Sequence, residues 1–291
     1  MRFASSVLAF RLLTHNIRYA TESPFEGERP WEERASGLIN ELRTQTLYNP
    51  ESFICLQEVL HNQLEDILIG LNVNASSVDD QWAHIGVGRD DGFEAGEYSP
   101  ILYRPTIWHL EYFKTIWLSE TPDRPSKGWD AGSIRILTTG IFRHIRTGQL
   151  LVAMCTHLDN AGARSRLESA RLIRAEIDRL TRSGYSNGTL PIFLAGDFNS
   201  KPDQEAYAIL NEASSPVRDL RDMTPQKFRS GHENTFSGFG HDELKRIDFL
   251  FLGPKEERFW HVRSYKVLEN VYDDGVYISD HRAVVGDVVL D

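Results

Sequence analysis

The stretch Pro191-Ile192-Phe193-Leu194-Ala195-Gly196-Asp197-Phe198-Asn199-Ser200 decides the fold. Its first five residues form an apolar run, which is typical of a central strand buried on both faces. The glycine that follows permits a sharp turn. Asp197 and Asn199 lie two residues apart, so in an extended segment they share a face. An Asx turn is the simpler interpretation, but a buried strand that ends in Gly-Asp-x-Asn is not ordinary loop chemistry.

Five further motifs share this arrangement, because each follows, ends or lies within an apolar run and contains a carboxylate, an asparagine or a histidine. They are Thr14-His15-Asn16-Ile17-Arg18, Gln57-Glu58-Val59, Thr156-His157-Leu158-Asp159-Asn160, Arg246-Ile247-Asp248-Phe249 and Ser279-Asp280-His281-Arg282. Phosphoryl transfer at a hard cation requires charge neutralisation, an activated water and a stabilised leaving oxygen. In combination, the six motifs predict a single metal site that cleaves a phosphate ester.

A carboxylate at the mouth of a central strand is poorly solvated unless it meets a cation, and Mg²⁺ and Mn²⁺ prefer oxygen ligands. We therefore predict that Glu58 holds Mg²⁺ or Mn²⁺, with Asn16 or Asp280 nearby. Asp197 is the predicted water activator, while Asn199 holds the phosphoryl group or the metal. Taken alone, Glu58 also fits a strand-end carboxylate paired with Lys or Arg, and Asn16 fits a turn residue.

Two histidines are predicted to hold the phosphoryl oxygens. His281 lies beside Asp280 at the start of the last strand, and the desolvated Asp248 is its natural partner, because a charged imidazole offsets the cost of burying a carboxylate. His157 closes another strand, where a lone histidine is more often structural. His157 is a candidate for the site because its motif is one of six that share this arrangement.

Composition limits the partners. The chain has 291 residues, a net charge of −10 and 41% hydrophobic residues, which argues mildly against tight nonspecific binding of duplex DNA. A small phosphate ester or a locally held nucleic acid remains compatible with this composition.

Cys55 and Cys155 are expected to be buried thiols. No apolar run approaches the ~20 residues that span a bilayer, and we favour an intracellular protein of unspecified oligomeric state. Asn74-Ala75-Ser76 and Asn187-Gly188-Thr189 match glycosylation sequons, which arise often by chance.

Strands and helices alternate, with a β-rich middle. We predict strands at Phe10–Asn16, Ser52–Gln57, Trp82–Val87, Ser99–Tyr103, Trp108–Trp117, Ile134–Arg143, Leu150–Thr156, Pro191–Ala195, Ile247–Leu252, His261–Val267 and Ala283–Val289. Predicted helices are Pro30–Arg43, Leu60–Leu71, Ala163–Thr181 and Asp203–Glu212. Ser183–Thr189 is a turn-rich break. This order predicts an α/β fold of two packed sheets with helices outside, formed by a single domain over residues 1–291.

With these motifs in place, the chain resembles the endonuclease/exonuclease/phosphatase superfamily from Thr14 to Leu290. This group includes deoxyribonuclease I, exonuclease III, abasic-site endonucleases and inositol polyphosphate 5-phosphatases. The resemblance implies a four-layer α/β sandwich, with two mostly antiparallel sheets flanked by helices, and hydrolysis assisted by Mg²⁺ or Mn²⁺. The resemblance implies that Glu58 ligates the metal, with Asn16 and Asp280 near it. It implies that Asp197 activates the water and that Asn199 orients the phosphate. It also implies that Asp248 pairs with His281 and that His157 contacts the phosphate.

Other segments look like a subgroup of this family whose substrate is not defined. Candidate substrate contacts are Arg89, Glu97, Trp129, Arg135 and Asn160. Arg89 is a candidate to hold a second phosphate, and Trp129 to stack on a base or sugar. Surface salt bridges and ordinary packing are the alternatives for these residues.

Three functions fit these observations. The nuclease precedent favours a phosphodiesterase that acts on single-stranded or short nucleic acid, which we place first. The acidic charge favours a phosphatase or phosphodiesterase for a small polar substrate, such as an inositol or sugar phosphate. A binding module on an inactive scaffold is disfavoured because no expected catalytic position is replaced.

Overall fold

The computed structural model describes residues 7–73, 81–181, 190–255 and 259–291. The strands are β1 (Leu8–Asn16), β2 (Phe53–Gln57), β3 (Ala83–Ile85), β4 (Ile101–Tyr103), β5 (Trp108–Trp117), β6 (Ile136–His144), β7 (Leu150–His157), β8 (Ile192–Asp197), β9 (Arg218–Asp219), β10 (Arg229–Gly231), β11 (Asp248–Gly253), β12 (Trp260–Val267) and β13 (Val284–Leu290). The helices are α1 (Trp31–Thr46), α2 (His61–Asn72), α3 (Ala163–Thr181), α4 (Glu205–Asn211) and α5 (Leu220–Met223). The sequons at 74–76 and 187–189 and the whole of the turn at 183–189 lie outside the described residues.

The strands form two mixed sheets. One has the order β10-β12-β13-β1-β2-β4-β3, and the other has the order β5-β6-β7-β8-β11-β9. Most neighbours are antiparallel, whereas β1 with β2, β7 with β8, and β10 with β12 are parallel. The predicted pair of mostly antiparallel sheets is confirmed.

Three apolar clusters hold the layers together. Between the sheets, the ring centroid of Phe53 lies 4.9 Å from Trp108, 5.1 Å from Phe142 and 5.4 Å from Phe193. A second cluster packs α3 and α4 on the outer face of one sheet, and a third packs α1 and α2 on the outer face of the other. The arrangement is therefore helix, sheet, sheet, helix, which confirms the four-layer α/β sandwich.

The helix α1 buries two charged residues along its apolar face. Arg34 is 1% exposed, and its guanidinium donates to the carbonyl oxygens of Ile17, Arg18, Arg29 and Ile278. A buried guanidinium requires such partners for its donors. Arg34 thereby fastens the segment after β1 to the segment before β13.

The second buried charge on α1 is Glu41. Its Oε1 lies 3.1 Å from His15 Nδ1, and both side chains are buried. The other ring nitrogen of His15 lies 3.1 Å from the backbone oxygen of His281. The outer helix is thus connected through His15 to the main chain of a predicted site residue.

The strand ends that carry the motifs meet at one edge of the sandwich. In the parallel pairs, Asn16 is in register with Gln57 and His157 with Asp197, and the antiparallel β11 places Asp248 opposite Asp197. Gly196 is required here, because a Cβ at this residue would lie 2.1 Å from the backbone oxygen of Thr156. The close approach of β7 and β8 therefore depends on the glycine in the Gly-Asp-x-Asn motif.

In the described segments, no helix combines the length and apolar character needed for a bilayer crossing.

Candidate active site

Asp197 lies at the centre of the site and is 1% exposed. Its Oδ1 accepts from the backbone N–H of Asn199 at 2.8 Å, and its Oδ2 accepts from Asn16 Nδ2 at 3.0 Å. Burial, followed by the nearby charge of Asp248, raises the pKa of Asp197 to about 7. A carboxyl group with such a pKa can exchange a proton near neutral pH.

Two imidazoles flank the same oxygen of Asp197. His157 Nε2 lies 3.4 Å and His281 Nε2 lies 3.6 Å from Asp197 Oδ2. Four of the six motifs therefore meet within a few ångströms, since Asn16 also donates to this oxygen. The structure brings together the side chains that the sequence predicted would converge.

Asp248 orients His281. Because a carboxylate only accepts, the 2.9 Å contact between His281 Nδ1 and Asp248 Oδ2 places a proton on Nδ1. Burial lowers the pKa of His281, but the charges of Asp248 and Asp197 outweigh burial and raise this pKa well above its usual value. Nε2 of His281 is thus held toward the cleft as a hydrogen-bond donor.

The second imidazole has a different charge state. Burial, followed by the positive charges of Arg135 and Arg89, holds the pKa of His157 well below its usual value. Its Nε2 lies 3.0 Å from Asn199 Nδ2, which fits donation by the amide to a neutral ring. Its Nδ1 faces Glu97 Oε2 at 3.7 Å, beyond direct hydrogen-bond distance.

Glu97 was predicted as a substrate contact, and the structure also places it behind His157. Its Oε2 accepts from Arg89 Nη1 at 2.7 Å. Burial, followed by the charge of Glu58, raises the pKa of Glu97 to about 7. The negative charge of Glu58 therefore reaches Glu97, and Arg89 does not fully compensate it.

The predicted metal ligands provide the oxygen atoms that hard cations prefer. Glu58 Oε1 accepts from Asn16 Nδ2 at 3.0 Å, and Oε2 accepts from the backbone N–H of Tyr19 at 3.2 Å. Burial raises the pKa of Asp280, and the charge of Glu58 raises it further. A divalent cation would offset the burial and the neighbouring charge that disfavour the ionised form of Asp280, so this residue set fits Mg²⁺ or Mn²⁺ on chemical grounds.

A second donor set is present in the same cleft. Asp197, Asp248 and His281 each place a ligand atom within 4.8 Å of the others. However, Asp248 and His281 already satisfy each other through the 2.9 Å hydrogen bond. A cation on His281 Nδ1 would require that bond to be lost, so we favour the set around Glu58.

Three residues that follow strands of the site adopt left-handed backbone conformations. Their φ angles are 57° for Arg18, 59° for Glu58 and 45° for Asn199. Non-glycine residues rarely adopt this region. These conformations turn the chain sharply at the end of each strand, so that the functional groups face the cleft.

Arg18 is held in place by several contacts. Its guanidinium donates twice to Glu28, from Nε at 2.9 Å and from Nη2 at 3.1 Å, and lies 4.4 Å from the ring centre of Tyr19 and 4.6 Å from that of Phe25. It is also 3.8 Å from Glu58 Oε2.

The sequence argument missed two buried charged residues near the site, Glu28 and Arg34. The helical period of α1 provides a signal for Arg34, because it lies on the same face as Trp31 and Leu38.

A cleft of about 870 Å³ contains these groups. Of the predicted substrate contacts, Arg89, Glu97, Arg135 and Asn160 line it. Trp129 is not among the described residues that line the cleft, and its backbone N–H donates to Glu120 Oε2 at 3.2 Å. The structure therefore gives no support to stacking of a substrate on Trp129.

Asp159 has a structural position that the motif did not reveal. The carboxylate accepts backbone N–H groups from Gly132, Ser133, Ala161 and Gly162. It also accepts from Arg135 Nε at 3.2 Å. Burial opposes ionisation, but the hydrogen bonds outweigh it and lower the pKa of Asp159 to about 2. The residue fixes the segment that carries Arg135 and Asn160.

Comparison with known protein families identifies the family that has this site. The model of the endonuclease/exonuclease/phosphatase family matches residues 13–281. The chain belongs to the endonuclease/exonuclease/phosphatase family. Its members are hydrolases of phosphoesters that generally use divalent metals, and the chain has their phosphoesterase fold. Among proteins of curated function, no sequence matches the chain.

Solved structures of this family superpose over nearly the whole chain. A family member from Bacteroides vulgatus is 30% identical with a TM-score of 0.82, and the alignment covers 98% of this chain and 100% of that one. The mannosyl-6-phosphatase of Bacteroides thetaiotaomicron is 29% identical with a TM-score of 0.79, covering 96% and 99%. D. rerio TDP2, solved with a single-strand DNA product, shares the fold at 18% identity and a TM-score of 0.67, covering 96% and 98%.

Proposed function

We propose that the chain hydrolyses a phosphate ester of a small, hydroxyl-rich molecule of the sugar phosphate class, with Mg²⁺ or Mn²⁺. One observation carries this proposal: Asp197 Oδ2 lies between His157 Nε2 and His281 Nε2, at 3.4 and 3.6 Å, beside the carboxyl groups of Glu58 and Asp280. This arrangement combines a proton acceptor, phosphate-binding groups and hard-cation ligands in one cleft.

In the proposed reaction, Asp197 accepts a proton from the attacking water. Asn16 and Asn199 hold the two oxygens of that carboxyl group in place. His281 donates from Nε2 to a phosphoryl oxygen and, because Asp248 supports its positive charge, stabilises the charge that develops there. Glu58, with Asn16 and Asp280 near it, would hold the metal.

A bound Mg²⁺ or Mn²⁺ supplies charge neutralisation at the phosphoryl group and its leaving oxygen.

The charge balance of the cleft favours a small substrate over a nucleic acid. Six basic side chains line it, namely Arg18, Arg89, Arg135, Arg166, Lys201 and Lys245, and six acidic ones, namely Glu58, Glu97, Asp197, Asp242, Glu243 and Asp280. Several basic groups are already paired, such as Arg89 with Glu97 and Lys201 with Glu243. A polyanion gains affinity from cations that neutralise successive phosphates, whereas a single phosphate needs few.

The relative from B. thetaiotaomicron supports the same substrate class, because it is a mannosyl-6-phosphatase at 29% identity. This reverses the order that the sequence alone favoured, in which a nuclease came first. Cleavage of single-stranded nucleic acid remains the second candidate, because the aromatic rings of Tyr19, Phe25, Phe236 and Phe239 line the cleft and bases stack on such rings.

A substrate panel tests the proposal. We expect mannose 6-phosphate and related sugar phosphates to be hydrolysed faster than inositol phosphates, single-stranded DNA or RNA, in Mg²⁺ or Mn²⁺ and not in EDTA. We expect Asp197→Asn to lower kcat by at least ~100-fold, because the water loses its proton acceptor.

The control is Asp203→Asn, an identical change at an exposed residue, which should leave kcat unchanged. Wild-type turnover by Asp197→Asn at an unchanged Tm would refute the role of Asp197. Faster cleavage of single-stranded DNA than of any sugar phosphate would instead support the second candidate.

A further inference from the structure

Three buried polar atoms on one wall of the cleft have no hydrogen-bond partner: Arg135 Nη1, Arg89 Nε and His157 Nδ1. All three residues line the main cleft. Buried donors in native proteins nearly always have partners, so unpartnered ones call for an explanation. Their grouping points to a ligand that supplies the missing partners.

Arg135 is the most firmly placed of these groups. The residue is 5% exposed, its Nε donates to Asp159 Oδ2, and its Nη2 donates to Asn160 Oδ1, each at 3.2 Å. Asp159 is itself fixed by four backbone N–H groups. The free Nη1 therefore has a defined position before any ligand binds, which lowers the entropic cost of binding.

Glu97 adds an acceptor to the same wall. Its Oε2 accepts from Arg89 Nη1 at 2.7 Å, and its Oε1 has no hydrogen-bond partner among the described residues. The wall thus offers free guanidinium donors together with a free carboxylate acceptor.

The charges of this wall favour a neutral ligand. Arg89 is paired with Glu97, and Arg135 is paired with Asp159, so each guanidinium already faces a carboxyl group and is less available to an anion. A second phosphate, which the sequence suggested for Arg89, would meet the carboxylate of Glu97 at close range. A hydroxyl group both accepts and donates, so neighbouring hydroxyls can use the guanidinium donors and the carboxylate acceptor at once.

We infer that Arg89, Glu97, Arg135 and Asn160 form a subsite that binds two neighbouring hydroxyl groups of the substrate, in the same cleft as the phosphate site. This inference rests on the proposed function for the identity of the phosphate site, and it specifies which wall distinguishes a sugar phosphate from other esters. Sites that hydrogen-bond a substrate hydroxyl discriminate strongly against analogues that lack it.

The first test compares two phosphate esters of similar ring size, mannose 6-phosphate and cyclohexylmethyl phosphate. We expect wild-type kcat/KM to favour the hydroxylated ester by at least ~100-fold. Arg135→Gln should lower this ratio at least ~10-fold, and Arg89→Gln, which leaves the contact with Asp159 intact, provides a second variant. The matched control is Arg164→Gln, at an exposed arginine outside the cleft. The ratio is informative because general damage to catalysis affects both esters.

The second test needs no hydrolysis. Methyl α-mannoside, which has no phosphate, should bind the wild-type protein in EDTA with a millimolar Kd, measured by NMR titration, and Arg135→Gln should weaken this binding at least ~10-fold. Binding without hydrolysis of any ester would support the subsite and refute the proposed function. Hydrolysis with an unchanged ester ratio in both variants and no binding of the mannoside would overturn the subsite alone.

Discussion

Asp248 is 1% exposed and has two oxygens with different surroundings. Oδ2 accepts from His281 Nδ1 at 2.9 Å, whereas Oδ1 is buried with no hydrogen-bond partner. A buried carboxylate needs a compensating charge, and the charged imidazole of His281 provides it. The pair is therefore a coupled unit, and a change at Asp248 acts on the ring of His281.

Asp248→Asn tests this coupling. We expect kcat to fall about 100-fold, because the neutral amide no longer supports a positive charge on His281. The pKa of His281, followed by NMR, should fall from its raised value, since burial alone lowers it. The exposed Asp273→Asn serves as the control. An unchanged His281 pKa in Asp248→Asn would contradict the proposed pairing.

At the level of single residues, the sequence predicted the groups that converge and missed the groups that hold them. Asp197 and Glu58 come at the ends of apolar runs in the sequence. The sequence therefore predicts that they lie where buried strands end, at the edge of a sheet. His15 contacts Glu41 and His281, which are distant in sequence. Glu28 contacts Arg18 across an irregular loop, where no periodic pattern predicts a contact. Stacking of a substrate on Trp129 stays a prediction, because an aromatic residue in a loop has the same sequence signature whether or not it faces a cleft.

Among the elements, the segment between β7 and α3 depends on Asp159. Its carboxylate accepts backbone N–H groups from both Gly132 and Gly162, so one buried group joins two loops. Its folded-state pKa of about 2 lies below the ordinary value of 3.8. Its stabilising contribution is therefore complete above about pH 4 and is lost as the pH falls through about 2.

Asp159→Asn should reduce the free energy of unfolding by about 2 kcal/mol at pH 7. The deficit should shrink as the pH is lowered toward 2, because the wild-type protein then loses the charged form as well. Urea unfolding at several pH values measures both effects. A deficit of the same size at every pH would show that the carboxylate charge does not contribute.

The long elements could be predicted, whereas three of the shortest could not. Strands such as β8 and helices such as α3 show clear apolar periods, whereas β9, β10 and α5 contain two to four residues each. Elements this short contain too few residues to show a periodic pattern of apolar residues. They form because neighbouring parts of the fold offer hydrogen-bond partners. The pairing that aligns Asp248 with Asp197 likewise joins two strands of one sheet that are distant in the sequence, so no local pattern predicts it.

Over the whole molecule, the net charge of −10 and the balanced cleft predict a weak response to salt. For a sugar phosphate, kcat/KM should change less than ~3-fold between 50 and 200 mM NaCl, whereas six to ten phosphate contacts with a nucleic acid would cost about 10³-fold or more. Steady-state kinetics at several salt concentrations measures the slope. A steep loss would argue for an extended polyanionic substrate.

The four-layer architecture followed from the alternation of strands and helices and from the resemblance. The single domain over residues 1–291 and the intracellular location stay predictions.

The left-handed backbone of Arg18, Glu58 and Asn199 has a consequence for the evolution of this chain. Each such conformation disfavours a non-glycine residue by about 1–3 kcal/mol, so the fold tolerates strain where its reactive groups project. Glycine would relax that strain and erase the side chain at the same position. The most thermally stable sequence is consequently not the sequence with the fastest turnover, and selection for one property reduces the other.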